Sequence, residues 1–229
     1  LVKGKNGEIL GRRISNGTIE PYPVRAEIEN SEMLKGTEII WLESEFETYI
    51  AHVQGSALIK LPDGKMVTLG YSANNGHEYK SISKLLVQEN VIPASKLSLT
   101  AMIDYFKKHK TQVSNYTQRN PRFVFFQKTS GKPRGSLNEP VIPMRSIATD
   151  KDIYPRASLT FVSAPLPRKV GTKTVTGPYT GFFLDQDTGG AIRAPGRCDV
   201  YMGIGDTAGR LAGQTYIEGR LYYLLLKER

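Results

Sequence analysis

Between Gly36 and Ser72 apolar and polar residues alternate in short bursts, broken at Gly55 and at Asp63-Gly64. A period of two with turn formers at the breaks is the pattern of half-buried strands joined as hairpins, and it predicts strand for most of that stretch. The spacing then changes. "YKSISKLLVQENV" (Tyr79–Val91) and "SLTAMIDYFKKHKTQVSNYTQRN" (Ser98–Asn120) repeat apolar residues at three and four, which predicts two helices, the second capped by Ser98 ahead of Leu99, Met102, Ile103 and Phe106. "RFVFFQ" returns to strand. Further short strands are predicted around Ile147, Leu159–Phe161, Tyr179–Leu184 and Leu221–Leu226, and no internal repeat interrupts them. The turn formers and charges from Lys128 to Pro140 make that segment the best domain boundary.

Composition narrows the partners. With 229 residues, 39% of them hydrophobic, the chain can bury a core in one large domain or two small ones. Its net charge of +9 fits an acidic partner: nucleic acid, anionic lipid or bacterial wall polymer. Lysines and arginines are dispersed, without an RNA-binding or helix-turn-helix pattern, so nucleic acid is not expected. The single cysteine, Cys198, excludes an intrachain disulfide framework and a cysteine-built zinc site, and His52, His77 and His109 are scattered, so no metal site is expected. No apolar run reaches the length of a membrane span, and Leu1 is not followed by a signal-like segment. The sequence reads as a processed or trimmed soluble portion whose anchor lies outside it.

Against this basic background, Leu184–Asp206 gathers four aspartates among glycines. Asp187-Thr188-Gly189 matches the aspartic protease triplet, but it occurs once, and the chain is too long for a minimal single lobe. Asp185 and Asp187 sit two apart as in a calcium loop, yet the twelfth position is Gly196 instead of Glu. "GIGDTAG" (Gly203–Gly209) lacks both the Gly-Lys-Ser/Thr ending and the spacing of a dinucleotide loop, so it reads as turn. Earlier, Gln54, Ser56, Tyr71, Asn74, Asn75, His77 and Tyr79 collect amides, hydroxyls and rings around Gly55 and Gly76. Such a set can bind sugar hydroxyls and stack on sugar faces. It is equally the composition of a plain turn with tyrosines at its rim.

Five blocks then occur in one order: "VQGSALIKLPDG", "GYSANNGHEYKSISKLL", "NPRFVFF", "RSIATD" and "DTGGAIRAPGRCDVYMGIGDTAGRLAG". From about Tyr22 to Leu226 they resemble the membrane-bound lytic transglycosylase A (MltA) family, the last block being similar to its "3D" segment, named for three aspartates. The resemblance implies a mainly β protein, a double-psi β-barrel with a smaller β-rich domain carrying short helices inserted into it, and a glycan groove between the two. Residues 1–24 are then an incomplete N-terminal part of the barrel, 25–130 the insert and 131–229 the barrel with the 3D segment. The family carries an upstream tyrosine-rich segment belonging to barrel and cleft, and this chain starts after it.

The implied reaction cleaves the β-1,4 bond between N-acetylmuramic acid and N-acetylglucosamine, leaving a 1,6-anhydromuramoyl end, with no cofactor. Asp199, in "RCDVY", matches the family's catalytic aspartate. One residue suffices because it protonates the leaving oxygen and then takes a proton from the sugar's own C6 hydroxyl, which attacks C1. Asp187 is its expected carboxylate neighbour, and Asp206 is expected to hold the glycine loop. Gly189 and Gly190 let the backbone approach the glycan. Gln54, Gly55, Ser56, Tyr71, Asn75, Gly76, His77 and Tyr79 become glycan-binding candidates. Arg25 is either a cleft cation facing wall carboxylates or half of a surface ion pair with Glu27 or Glu29. The expected setting is the bacterial envelope, on the periplasmic side of the outer membrane or exported to the wall, and the expected state is a monomer. Two other functions stay open: a non-catalytic wall-binding barrel, or a hydrolase using Asp187 and Asp199 as a pair.

Overall fold

A computed structural model describes residues 2–3, 9–213 and 215–227. Residues 1, 4–8, 214, 228 and 229, which fall in the expected terminal pieces of the barrel, lie outside the described residues. The fold is mainly β and divides into two compact units, residues 1–130 and 131–229.

In the first unit β1 (Val2–Lys3), β2 (Ile9–Arg13) and β3 (Ile19–Glu20) form a small antiparallel sheet. Helix α1 (Arg25–Glu29) follows, and then α2 (Glu45–Gln54), inside the stretch expected to be mostly strand. The alternation there is misleading because Phe46, Tyr49, Ile50 and Val53 also satisfy helical spacing. The ends decide it: the Ser44 side chain accepts from the Glu47 N–H, and Gly55 closes the helix at φ 76°. The expected hairpin is present beyond it, β4 (Ala57–Lys60) pairing with β5 (Met66–Asn74), and β6 (Val124–Thr129) completes that sheet. Helices α3 (Ile82–Gln88), α4 (Leu99–Lys108) and α5 (Val113–Thr117) lie between β5 and β6 in sequence. Ser98 caps α4 by accepting from the Ala101 N–H. Phe46, Tyr49, Leu86, Phe106 and Tyr116 meet in one core.

The second unit is one five-stranded sheet and a helix. Its order is β10 (Cys198–Val200), β7 (Ser146–Thr149), β9 (Lys173–Asp187), β8 (Ser158–Val170), β11 (Arg220–Tyr223), with only β7–β9 parallel. Helix α6 spans Asp206–Gly213. The expected short strands at 159 and 179 are parts of one long hairpin, paired from Ser158↔Asp185 to Val170↔Lys173. Pro165 stands opposite Pro178 in it, so two residues without an N–H share one rung and the ladder survives the prolines that shorten the strand signal in the sequence. Ile147, Val162, Leu166 and Phe183 form the core on one face of this sheet.

Candidate active site

In the second unit the candidate carboxylates occupy one row of the sheet. Ala148 on β7 pairs with Asp199 on one side and with Asp187 on the other. An irregularity in β9 between the partners of Ile147 and Ala148 advances the register by one residue, from Asp185 to Asp187, and this brings Asp187 into Ala148's row. Two strand spacings separate the two aspartate backbones by about 10 Å, and the small Ala148 side chain leaves the row open between them.

The two carboxyls differ in surroundings. Asp187 is partly buried, and burial pushes it above the usual carboxylate range, with Asp185 adding to the rise. The Thr188 and Ser136 N–H groups and the charge of Lys151 pull the other way. The Ser136 N–H donates to Asp187 Oδ1 at 2.9 Å. Gly135 permits that approach: a Cβ there would stand 2.6 Å from the Gln186 carbonyl oxygen. Asp199 is half-exposed and takes a two-pronged contact, Arg197 Nε donating to Oδ1 and Nη2 to Oδ2, each at 3.0 Å. The third prong, Nη1, donates to the Ala191 carbonyl at 2.8 Å.

Beneath Asp199's strand lies a polar network that sequence reading did not find. Asp185 is fully buried, pairs with the Lys151 ammonium, and accepts from the Thr149 hydroxyl at 2.7 Å and the Tyr223 hydroxyl at 2.5 Å. Tyr223 stacks on Tyr154, ring centroids 4.6 Å apart. Asp150, in the quoted "RSIATD" block, is also buried: its carboxylate accepts from the Asp152 N–H and pairs with Arg193. The network itself had no signal in the sequence, because Lys151, Tyr223 and Arg193 come to these aspartates from distant strands or loops. The Cys198 thiol is pushed up to about 12 by burial and by the charges of Asp199 and Asp185, so it stays protonated beside the site. Asp206 is exposed in the first turn of α6, where its charge suits the helix dipole. Gly189 begins a turn closed by the Ile192 N–H on its carbonyl at 3.0 Å, with Ile192 buried as the anchor, and Gly190 sits within that turn, partly buried.

The remaining candidates belong to the first unit, and the structure separates them by job. Arg25 forms the ion pair with Glu29 that was one of its two expected readings, but with its own side chain buried. Its side chain is 2% exposed, Nη1 holds Glu29 at 2.7 Å, Nε and Nη2 both donate to the Arg122 carbonyl, and the guanidinium lies over the Tyr49 and Phe123 rings. The Glu29 side of the pair stays exposed to solvent. Asn75 is equally internal. Its Nδ2 donates to the Pro23 and Pro121 carbonyls and its Oδ1 accepts from the Phe123 N–H, leaving no polar atom for a sugar. His77 Nε2 donates to the Tyr22 carbonyl at 2.6 Å, and Tyr79 is hydrogen-bonded to the buried Tyr49 hydroxyl. Gly76 donates its N–H to Asn74 Oδ1.

Tyr71 and Gln54 are exposed, Ser56 is half-exposed, and a Cβ on Gly55 would stand 3.8 Å from the Tyr71 ring. Gln54 lines a cavity of about 810 Å³ with Trp41, Glu43 and Ile59. A neighbouring cavity of about 760 Å³, mostly apolar, is lined by Ile28, Trp41, Tyr49, His52 and Phe123. Trp41, 82% exposed and shared by both, escaped sequence reading because a lone tryptophan among apolar residues looks like core. His52, held edge-on by Phe123 and Phe126, is lowered to about 3, mainly by burial, and so is neutral. Among the described residues no group of three His, Cys, Asp or Glu could hold a metal ion, and no helix is long and apolar enough to cross a membrane.

Comparison with known proteins follows the same division. A family profile described as "MltA specific insert domain" matches residues 2–127, and one described as "3D domain" matches residues 145–225. The membrane-bound lytic murein transglycosylase A of Vibrio cholerae is 31% identical over 209 residues, covering 90% of this chain and 56% of that protein. Its Escherichia coli K12 counterpart is 31% identical over 206 residues, covering 88% and 56%. Among solved structures, the membrane-bound lytic murein transglycosylase from Agrobacterium tumefaciens superposes with a TM-score of 0.83 at 29% identity, covering 94% of this chain and 59% of that one. Escherichia coli MltA with bound chitohexaose gives 0.75 at 27%, covering 95% and 64%. The chain thus spans little more than half the length of the curated relatives it matches.

Proposed function

This chain belongs to the MltA family, and from that premise we propose that it is a peptidoglycan lytic transglycosylase of the bacterial envelope, with Asp199 as its acid and base. In this reading the five-stranded sheet is the larger part of a double-psi barrel. Asp199 gives a proton to the oxygen of the bond between N-acetylmuramic acid and N-acetylglucosamine. It then receives the proton of the muramoyl C6 hydroxyl as that oxygen closes on C1. The hydroxyl is held by the same sugar, so its effective concentration is high and no second carboxylate has to activate water.

The observation that carries the proposal is the placement of Asp199. It is an accessible carboxylate on β10, within the segment matched by the 3D profile, and across an alanine from Asp187. The raised Asp187 carboxyl favours one second reading, an inverting hydrolase with Asp187 as acid and Asp199 as base. Water separates the two. Peptidoglycan digested in ¹⁸O-labelled water should give 1,6-anhydro ends without label, without new reducing ends, and one water lighter than hydrolytic products by mass spectrometry. Labelled reducing ends would establish the hydrolase instead. Glycan binding without any product would leave a wall-binding module.

A further inference from the structure

In the arrangement described each oxygen of Asp199 accepts one N–H of Arg197, and the lone pairs those bonds occupy cannot also hold a proton. A guanidinium fork fits a carboxylate; on a protonated carboxyl the O–H would point its hydrogen at an N–H. Arg197 cannot supply the proton, since a guanidinium does not give up its proton in the working range of a protein. The two must part before the bond is cut. Parting is easy: the side chains are 48% and 49% exposed, and ion pairs at that exposure contribute little in water. Arg197 nevertheless stays in place when Asp199 leaves, because its Nη1 is tied to the Ala191 carbonyl in the turn anchored by Ile192. Its Nε and Nη2 edge then still faces the reacting acid.

We propose that Arg197 is the substrate-selecting residue of this site: its guanidinium exchanges Asp199 for a carboxylate borne by the glycan next to the scissile bond, and the exchange frees Asp199 to take up and deliver its proton. The inference rests on the reading of Asp199 as the acid and adds the residue that recognises the carboxylate of that acid's substrate. A sugar carrying a carboxyl substituent, directly or through an attached peptide, replaces one anion with another, so the charge of the fork stays balanced. A neutral amino-sugar polymer offers no anion to take the place of Asp199 on the fork. The buried Arg25 cannot take this part, as its donors are held by Glu29 and the Arg122 carbonyl.

The test compares muramoyl oligomers with free carboxylates against the same oligomers converted to carboxamides. The wild-type protein should cleave the carboxylate form with a kcat/KM about tenfold higher or more, the factor expected for one charge-assisted contact. Arg197→Gln should bring the two substrates within about twofold of each other, Arg197→Lys should fall between because it keeps charge without the fork, and Arg193→Gln should leave the preference intact. A residue that only supported the loop would change rates on both forms alike. Calorimetric binding of the same oligomers gives a readout that does not need turnover. There, Asp199→Asn should bind the carboxylate form more tightly than wild type does, and the gain should vanish in the Arg197→Gln/Asp199→Asn double variant. If the wild type makes no anhydro product, the transglycosylase reading fails while binding still decides the role of Arg197. Equal treatment of both oligomers by the wild type, or a preference that survives Arg197→Gln, overturns the inference.

Discussion

Asp199 is half-exposed, and among the described contacts its side chain is held by Arg197, so little of the fold depends on it. Asp199→Asn removes the proton and keeps the shape. Release of anhydromuropeptides should therefore fall by about 100-fold or more, the scale of a lost general acid, with an unchanged thermal midpoint. A folded variant that retains most of its activity would remove Asp199 from the role. His52 behaves oppositely, invisible to the chemistry and important to the fold. It is lowered from 6.5 to about 3 by burial, and its Nδ1 accepts the Val124 N–H, which requires the neutral ring. Its folded value lies below its unfolded one, so its contribution is complete above about 6.5 and is lost as pH falls toward 3. Urea unfolding of wild type at descending pH should show that loss, and His52→Asn, which keeps an acceptor near Nδ1, should flatten it. Parallel curves for the two proteins would show that His52 does not carry the slope.

Single side chains also stitch elements together. Asn75, at the end of β5, ties the Pro23 carbonyl ahead of α1 to the Pro121–Phe123 segment ahead of β6. Asn75→Ala should cost about 3 kcal/mol, because a buried N–H and two buried carbonyls lose their partner together. Glycan affinity measured on the fraction still folded should not change; a binding loss at undiminished stability would return Asn75 to the surface. The Ser98 cap of α4 was legible in the sequence, because a cap uses a neighbour three residues away. Asn75 reads as turn or sugar ligand for the opposite reason: its three partners lie 46 to 52 residues away.

Over the whole molecule the charge of +9 sets a field that no single pair provides. Binding of carboxylate-bearing glycan should weaken steadily as salt rises from about 50 to 500 mM, while the carboxamide form should respond far less, since screening acts on the long-range attraction. An affinity for the anionic form that ignores salt would confine recognition to close contacts. Each unit has its own core, Phe46, Leu86 and Phe106 in the first and Ile147, Val162 and Phe183 in the second, and the division after Ser130 falls within the turn-forming segment.

The sequence alone determined the β-rich class, the hairpin at Asp63-Gly64, the helices after Ser81 and Ser98, and the resemblance that points to Asp199. All of these are written in periodicity, in caps and turns, or in contiguous motifs, each read from residues within a few positions of one another. Tertiary structure alone decided the rest. Helix α2 has local end signals at Ser44 and Gly55, and the packing of Phe46 and Tyr49 in the core with α4 and α5 adds to them against the alternating pattern. Arg25 and Asn75 turn inward because the carbonyls they satisfy are brought to them from residues 121 and 122. Asp187 joins Asp199's row only through an irregularity in β9, and Asp185, two residues earlier, goes to Lys151 and Tyr223 in the interior. Whether an aspartate is a buried tie, like Asp185, or a partly buried carboxyl raised by its surroundings, like Asp187, depends on which groups the fold sets beside it.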